Sequence, residues 1–144
     1  MTEIRELPEG RTDLAAAALL ELRPRWSTDT LVELIDERLR PAGYRLVGGF
    51  DGAHEFAVAA LGFREAFNTA WGHHVYVDDV STLPEARGHG HAEALLTWVI
   101  AEARRLGCEA VHLDSGVGAQ RAAAHRLYMR NHFAITSHHF TLEL

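Results

Sequence analysis

Residues 75 to 107 constrain the fold more than any other stretch of the chain. They run from an alternating segment, VYVDDVST, through a corner, LPEA, and a glycine turn, RGHGHA, into EALLTWVIAEARRLG. Period-two alternation of valine and tyrosine predicts a strand, here His73 to Thr82. Helical spacing then predicts a helix from His91 to Leu106, with Ala92, Leu95, Leu96, Val99, Ala103 and Leu106 on one face and Gly107 as its stop. Between them, Gly88 and Gly90 let the backbone approach a ligand closely, and the helix start points unpaired N–H groups and a positive dipole end at the same place. Arg87 adds a full charge on a planar donor fork suited to phosphate oxygens. An anion, and specifically a pyrophosphate, belongs at such a turn; a purely structural strand-to-helix corner is the competing account.

The rest of the chain supplies the frame. Glu3 to Leu7 reads as a short strand, and Leu14 to Leu22 as an alanine-rich helix that Asp13 caps and Pro24 ends. Asp29 to Leu39 carries Leu31, Leu34, Ile35 and Leu39 at helical spacing, capped by Ser27, Thr28 or Asp29 and closed by Pro41 and Gly43. Tyr44 to Phe50 and Glu55 to Arg64 read as an antiparallel pair around the Asp51-Gly52 dipeptide, and 66–72 as a loop. Ala110 to Leu113 reads as a short strand, Ala119 to Asn131 as a helix, and Phe133 to Leu144 as a final extended segment.

At 144 residues with 47% apolar side chains, one domain over 1–144 is expected, with a core that needs no staples. The single cysteine, Cys108, excludes an intrachain disulfide and reads as a buried thiol. A formal charge of −6 argues against a broad nucleic-acid footprint and favours cationic ligands. The first residues lack the apolar core of a signal peptide and no apolar run spans a bilayer, so a cytoplasmic protein without membrane association is expected.

Two segments carry a family resemblance. VSTLPEARGHGHAEALL resembles the signature of the GCN5-related N-acetyltransferases (GNAT), Arg/Gln-x-x-Gly-x-Gly/Ala, which joins that family's fourth strand to its third helix. Arg87, Gly90 and Ala92 fit the specified positions, and Pro84-Glu85 stands where a Pro-Glu pair is common. AHRLYMRNHF resembles the second conserved segment, Ala-x-x-Leu-Tyr-x-x-x-Gly-Phe, through Ala124, Leu127, Tyr128 and Phe133. The resemblance implies an α/β (α+β) fold with a mixed, mostly antiparallel central sheet, strands 4 and 5 splayed apart, and about four flanking helices. It also implies acetyl-CoA as cofactor and the primary amine of a small molecule as acceptor, attacked directly in a ternary complex. Val80, Ser81 and Thr82 would run beside the pantetheine arm, and Arg87, Gly88, His89, Gly90, His91 and Ala92 would hold the pyrophosphate. A homodimer through the C-terminal strand is a further implication.

Acyl transfer to an amine requires a deprotonated nucleophile, stabilisation of the oxyanion and a proton for the leaving thiolate. Tyr128 matches the family's proton donor, and a backbone N–H near Thr82 would meet the oxyanion. For the base, strict alternation puts His74, Tyr76, Asp78 and Val80 on one face and Val75, Val77, Asp79 and Ser81 on the other, so only one aspartate faces the cleft. Asp78 is the first candidate, with the role of attracting the amine or ordering a water, because an aspartate at ~3.9 is a poor base. His74 is the second, and an ion pair with an arginine is the plain account of Asp78. No metal site is expected: His73-His74, His89-x-His91 and His138-His139 lack a recognised zinc spacing.

The sequence departs from the family pattern at two positions. Arg121 replaces an asparagine that contacts the pantetheine arm, and either reaches a cofactor phosphate or pairs with Asp114. His132 replaces the glycine before Phe133, so the helix ends with Asn131 in the left-handed conformation. In HLDSGVG, Ser115 and the later His125 are polar groups with a turn as their simplest setting. An acetyl-CoA-binding module without catalysis is the alternative reading; a P-loop enzyme is excluded, because the chain contains no lysine.

Overall fold

The computed structural model describes residues Met1–Leu144. They form two compact units, Met1–His112 and Leu113–Leu144. Five strands make one mixed sheet in sequence order, β1 (Glu3–Leu7), β2 (Tyr44–Phe50), β3 (Ala59–Asn68), β4 (Gly72–Thr82) and β5 (Ala110–Leu113), antiparallel except for a parallel β4–β5 pair. Four α-helices accompany it: α1 (Ala16–Leu22), α2 (Thr28–Leu34), α3 (His91–Arg105) and α4 (Ala122–Arg130). No helix is long and apolar enough to cross a membrane.

In the first unit the sheet buries both faces. Leu46, Phe50 and Ala60 pack with Ala15, Ala18 and Leu19 from the α1 segment and with Leu31 and Ile35 from the α2 segment. On the opposite face, Val47, Leu61, Phe63, Val75 and Val77 are buried, as are Leu95, Leu96 and Val99 of α3, and Trp98 meets Phe63 edge-on. Glu102 of α3 is buried too, and two arginines compensate its charge. Arg45 Nη2 lies 2.7 Å from one oxygen and Arg105 Nε 2.6 Å from the other, which lowers the carboxyl to about 2 from an ordinary 4.5.

Several boundaries differ from the sequence expectation. Asp13 lies inside a 3-10 turn, Thr12–Ala15, and caps nothing. The second helix is α-helical to Leu34, continues as a π turn over Ile35–Leu39, and starts from a capping box between Ser27 and Thr30. Asp51-Gly52 does not close a tight hairpin: β2 and β3 pair from Gly49↔Ala59, with a loop between. Asp51 Oδ1 instead accepts the N–H groups of Ala53 and His54, a local turn that consumes the dipeptide without joining strands. The β3–β4 ladder extends to Asn68↔Gly72, so much of the expected loop is strand.

The second unit contains a short 3-10 turn and α4. Its helix ends in a Schellman motif, with Phe133 N–H donating to Tyr128 O and His132 N–H to Met129 O, both at 3.0 Å. His132 itself takes the left-handed conformation (φ 67), not Asn131 (φ −92). The expected final strand does not form: 133–144 has no regular structure, and Ile135, Phe140 and Leu142 are exposed.

Candidate active site

β4 is the organising element, and it is not regular. Its pairing with β3 passes from Phe63↔Val77 to Gly62↔Asp79, which leaves Asp78 as an extra residue. Strict alternation therefore fails at this point. Val77 and Asp79 lie on opposite faces, and Ser81 shares a face with His74 and Tyr76 instead of with Val75 and Val77. Both aspartates reach the α1 face, where the expectation allowed only one. Asp78 accepts two bonds from Arg64, at 2.9 and 2.8 Å, and Asp79 accepts from Arg23 Nε (2.9 Å) and Tyr44 OH (2.8 Å). Burial and the Asp79 charge hold the Tyr44 phenol well above its ordinary value, so it remains a donor. Tyr44 reaches Asp79 only because residue 62 is glycine: a Cβ there would overlap its ring.

The residues named from sequence are placed as follows. Asp78 has the ion pair described as its plain account, with both carboxylate oxygens engaged by Arg64. His74 is buried, and its Nδ1 lies 2.9 Å from the Gly72 carbonyl; that carbonyl must accept, so Nδ1 carries a proton. Its neighbours are rings: Trp71 at 5.1 Å and His112 at 5.5 Å, with Trp71 and His112 stacked at 3.7 Å. At about 3.3 Å per residue, Asp78 lies ~13 Å and His74 ~26 Å along the strand from Thr82.

Beyond Asp78, β4 gains a free edge. Glu109 N–H donates to His73 O at 2.8 Å, so β5, four residues long, enters beside the start of β4. A parallel strand of that length reaches only as far as about Val77. Val80, Ser81 and Thr82 continue past it, paired on their other side with Leu61, Ala60 and Ala59.

The turn after β4 is open and uncapped. Gly88 (φ 80) and Gly90 (φ 84) are left-handed, and a Cβ on either would meet nothing within 4 Å. No side chain caps α3, and its first ladder bond runs from Ala94 N–H to Gly90 O, which leaves the N–H groups of His91 and Ala92 ahead of the ladder. Arg87 is exposed and held by Glu21 (3.2 Å) and the Thr82 carbonyl (3.3 Å). His89 is exposed with Nδ1 against Ala86 O, while His91 is buried against Thr2 Oγ1 at 2.7 Å and burial lowers its pKa. Of these two imidazoles, only that of His89 is available to a ligand; His91 offers its amide. The turn thus fits a diphosphate: glycine backbone, helix-start amides and one flanking arginine.

Tyr128, in the second unit, is buried, and burial raises its phenol above the ordinary 10. Asp114 pairs with His139 at 2.9 Å and not with Arg121. His125 bonds the Gly116 carbonyl at 2.8 Å, closing the HLDSGVG turn, and Ser115 has only a 3.5 Å contact with Gly116 O. Sequence reasoning missed Tyr44, Arg64 and Arg23; two successive aspartates inside an alternating strand are the one visible trace of the bulge that gathers them.

The model of the Acetyltransferase (GNAT) family matches residues 11–133. The chain belongs to this acetyltransferase family. Solved structures share the fold. An acetyltransferase from Trypanosoma brucei is 24% identical with a TM-score of 0.78, each chain covered in full. A ribosomal-protein-alanine N-acetyltransferase from Brucella melitensis biovar Abortus 2308 is 18% identical with a TM-score of 0.81, again with full coverage of both. The aminoglycoside N-acetyltransferase AAC(6')-Iy, solved in complex with CoA, is 15% identical with a TM-score of 0.80, covering 100% of this chain and 95% of that one. No curated protein matches the sequence.

Proposed function

We propose that this chain, as one domain over 1–144, transfers an acetyl group from acetyl-CoA to the primary amine of a small cationic acceptor by direct attack in a ternary complex. The observation that carries the reading is the open, uncapped Gly88–Gly90 turn at the start of α3, in a family whose model spans both compact units. The CoA-bound aminoglycoside N-acetyltransferase of the same fold supports both the cofactor and the acceptor class. When bound, acetyl-CoA supplies an acyl group activated as a thioester.

The amides of Gly88 to Ala92 and the Arg87 guanidinium bind the diphosphate, with His89 beside them. Val80, Ser81 and Thr82 offer free edge groups to the pantetheine arm, and an N–H near Thr82 meets developing negative charge. Asp78, nearer than His74 to that end of β4, orients the cationic amine electrostatically, with Arg64 fixing the position of its carboxylate. His74 stands ~26 Å along the strand from Thr82, so the amine's proton passes to water ordered by Asp78 and not to this imidazole. Tyr128, whose phenol burial keeps protonated, donates a proton to the leaving thiolate. A cytoplasmic setting and a homodimer complete the reading, the latter supported by the exposed Ile135, Phe140 and Leu142.

Calorimetry with acetyl-CoA, paired with thiol release across a panel of amines, tests the proposal. Saturable heat and release with cationic amines are expected. Absence of heat sinks the cofactor assignment, whereas heat without release on any amine leaves a binding module. Tyr128→Phe is expected to lower kcat by about 10²-fold while the KM for acetyl-CoA stays within about twofold. An unchanged kcat would remove Tyr128 from the chemistry.

A further inference from the structure

A second cluster of reactive side chains lies at the far end of β4, about 30 Å along the strand from Thr82. Glu65 stands on β3 diagonally across from His73, since Glu65 pairs with Val75 and Phe67 with His73. Cys108 follows α3 and is fixed by the backbone: its N–H donates to Ala103 O at 2.9 Å, and the next residue, Glu109, donates to His73 O. Glu109 also accepts the His73 N–H at 3.2 Å, and Phe67 stacks flat on the His73 ring at 4.4 Å. Three elements therefore present one donor each, and the three donor atoms lie within 4.8 Å of one another.

A cysteine, a histidine and a carboxylate in contact suggest either a nucleophile relay or an ion site, and the geometry separates the two. Glu65 Oε2 lies 2.6 Å and Cys108 Sγ 3.5 Å from the same nitrogen, His73 Nε2. A relay needs the acid on one ring nitrogen and the nucleophile on the other. Convergence of three donors on one position is what an ion requires. A tetrahedral Zn²⁺ with bonds of ~2.0–2.3 Å sets its donors roughly 3.3–3.6 Å apart. The sulfur–nitrogen distance already has this value, and the exposed Glu65 carboxylate must swing by about 2 Å, off the imidazole and towards the sulfur, a motion within reach of its side-chain torsions. Thiolate, imidazole and carboxylate form a borderline-soft set that selects zinc over magnesium or calcium, and their two negative charges balance a divalent ion.

We propose that Glu65, His73 and Cys108 form a Zn²⁺ site with one position open to water, which ties the β3–β4 hairpin to the loop after α3. The ligands are separated by 8 and 35 residues, so no short motif announces them; the histidine pairs considered in the sequence contribute only His73.

The full chain, stripped with chelator, is titrated with Co²⁺ and then Zn²⁺. Expected are saturation at a single equivalent, a thiolate-to-cobalt charge-transfer band that Zn²⁺ displaces, and a rise in the thermal midpoint. Cys108→Ser is expected to abolish the band and weaken binding by at least about tenfold, and Glu65→Gln to weaken it severalfold. A double variant, His138→Gln with His139→Gln, is expected to leave binding unchanged. Alkylation of the single thiol in the unmutated protein gives a readout independent of variant folding: Zn²⁺ should slow it by at least about tenfold. No charge-transfer band, undiminished binding by Cys108→Ser, or equal alkylation rates with and without Zn²⁺ would each overturn the site.

Discussion

His132 is the residue whose conformation most exceeds its chemistry. It holds φ 67 at the Schellman position where glycine is at ease, and a side chain there costs about 1 kcal/mol. His132→Gly is therefore expected to stabilise the protein by about that amount, seen as a higher denaturant midpoint at constant m. Glu102 behaves oppositely. Its folded carboxyl, at about 2, lies below the ordinary 4.5, so its stabilising contribution is complete above about 4.5 and fades as pH falls towards 2. Glu102→Gln should cost about 2 kcal/mol at pH 7 and progressively less in acid, checked by urea melts across that window.

At the scale of elements, the Gly88–Gly90 turn and the Gly62–Tyr44 contact use glycine for different reasons. Gly90 has space for a Cβ but a backbone angle that resists one, so Gly90→Ala is expected to weaken acetyl-CoA binding about tenfold, measured by calorimetry, through distortion of the amide cradle. Gly62 has an ordinary angle but no space: Gly62→Ala should cost about 3 kcal/mol by displacing Tyr44 from Asp79, measured by chemical denaturation. The boundaries of β1 and β5 and the start of α3 were legible because local periodicity and glycine placement set them. The β2–β3 connection was not, since an Asp-Gly pair encodes a turn without encoding how far away the next strand begins. The tail 133–144 alternates in part like a strand, but a strand exists only where another offers its edge, and that is a nonlocal fact. Of the candidate site, the open glycine turn ahead of α3 could be read from a contiguous hexapeptide; the Tyr44–Asp79 and Arg64–Asp78 pairs depend on cross-strand register.

Over the whole molecule, ligand binding at the α3 start should raise the thermal midpoint in proportion to the logarithm of acetyl-CoA concentration. The bulge at Asp78 has a wider consequence. It sets the phase between the two halves of β4, so that Val75 and Val77 point to the α3 side while Ser81 points to the other. Deleting that single residue would join Val77 directly to Asp79, opposite Phe63 and Gly62, so the ladder would become regular with every other β4 side chain on its present face and only the Arg64–Asp78 pair lost. What the extra position contributes is thus a second carboxylate on the α1 side of the sheet, and loss of any residue of β4 other than this one would shift the remainder against its partners.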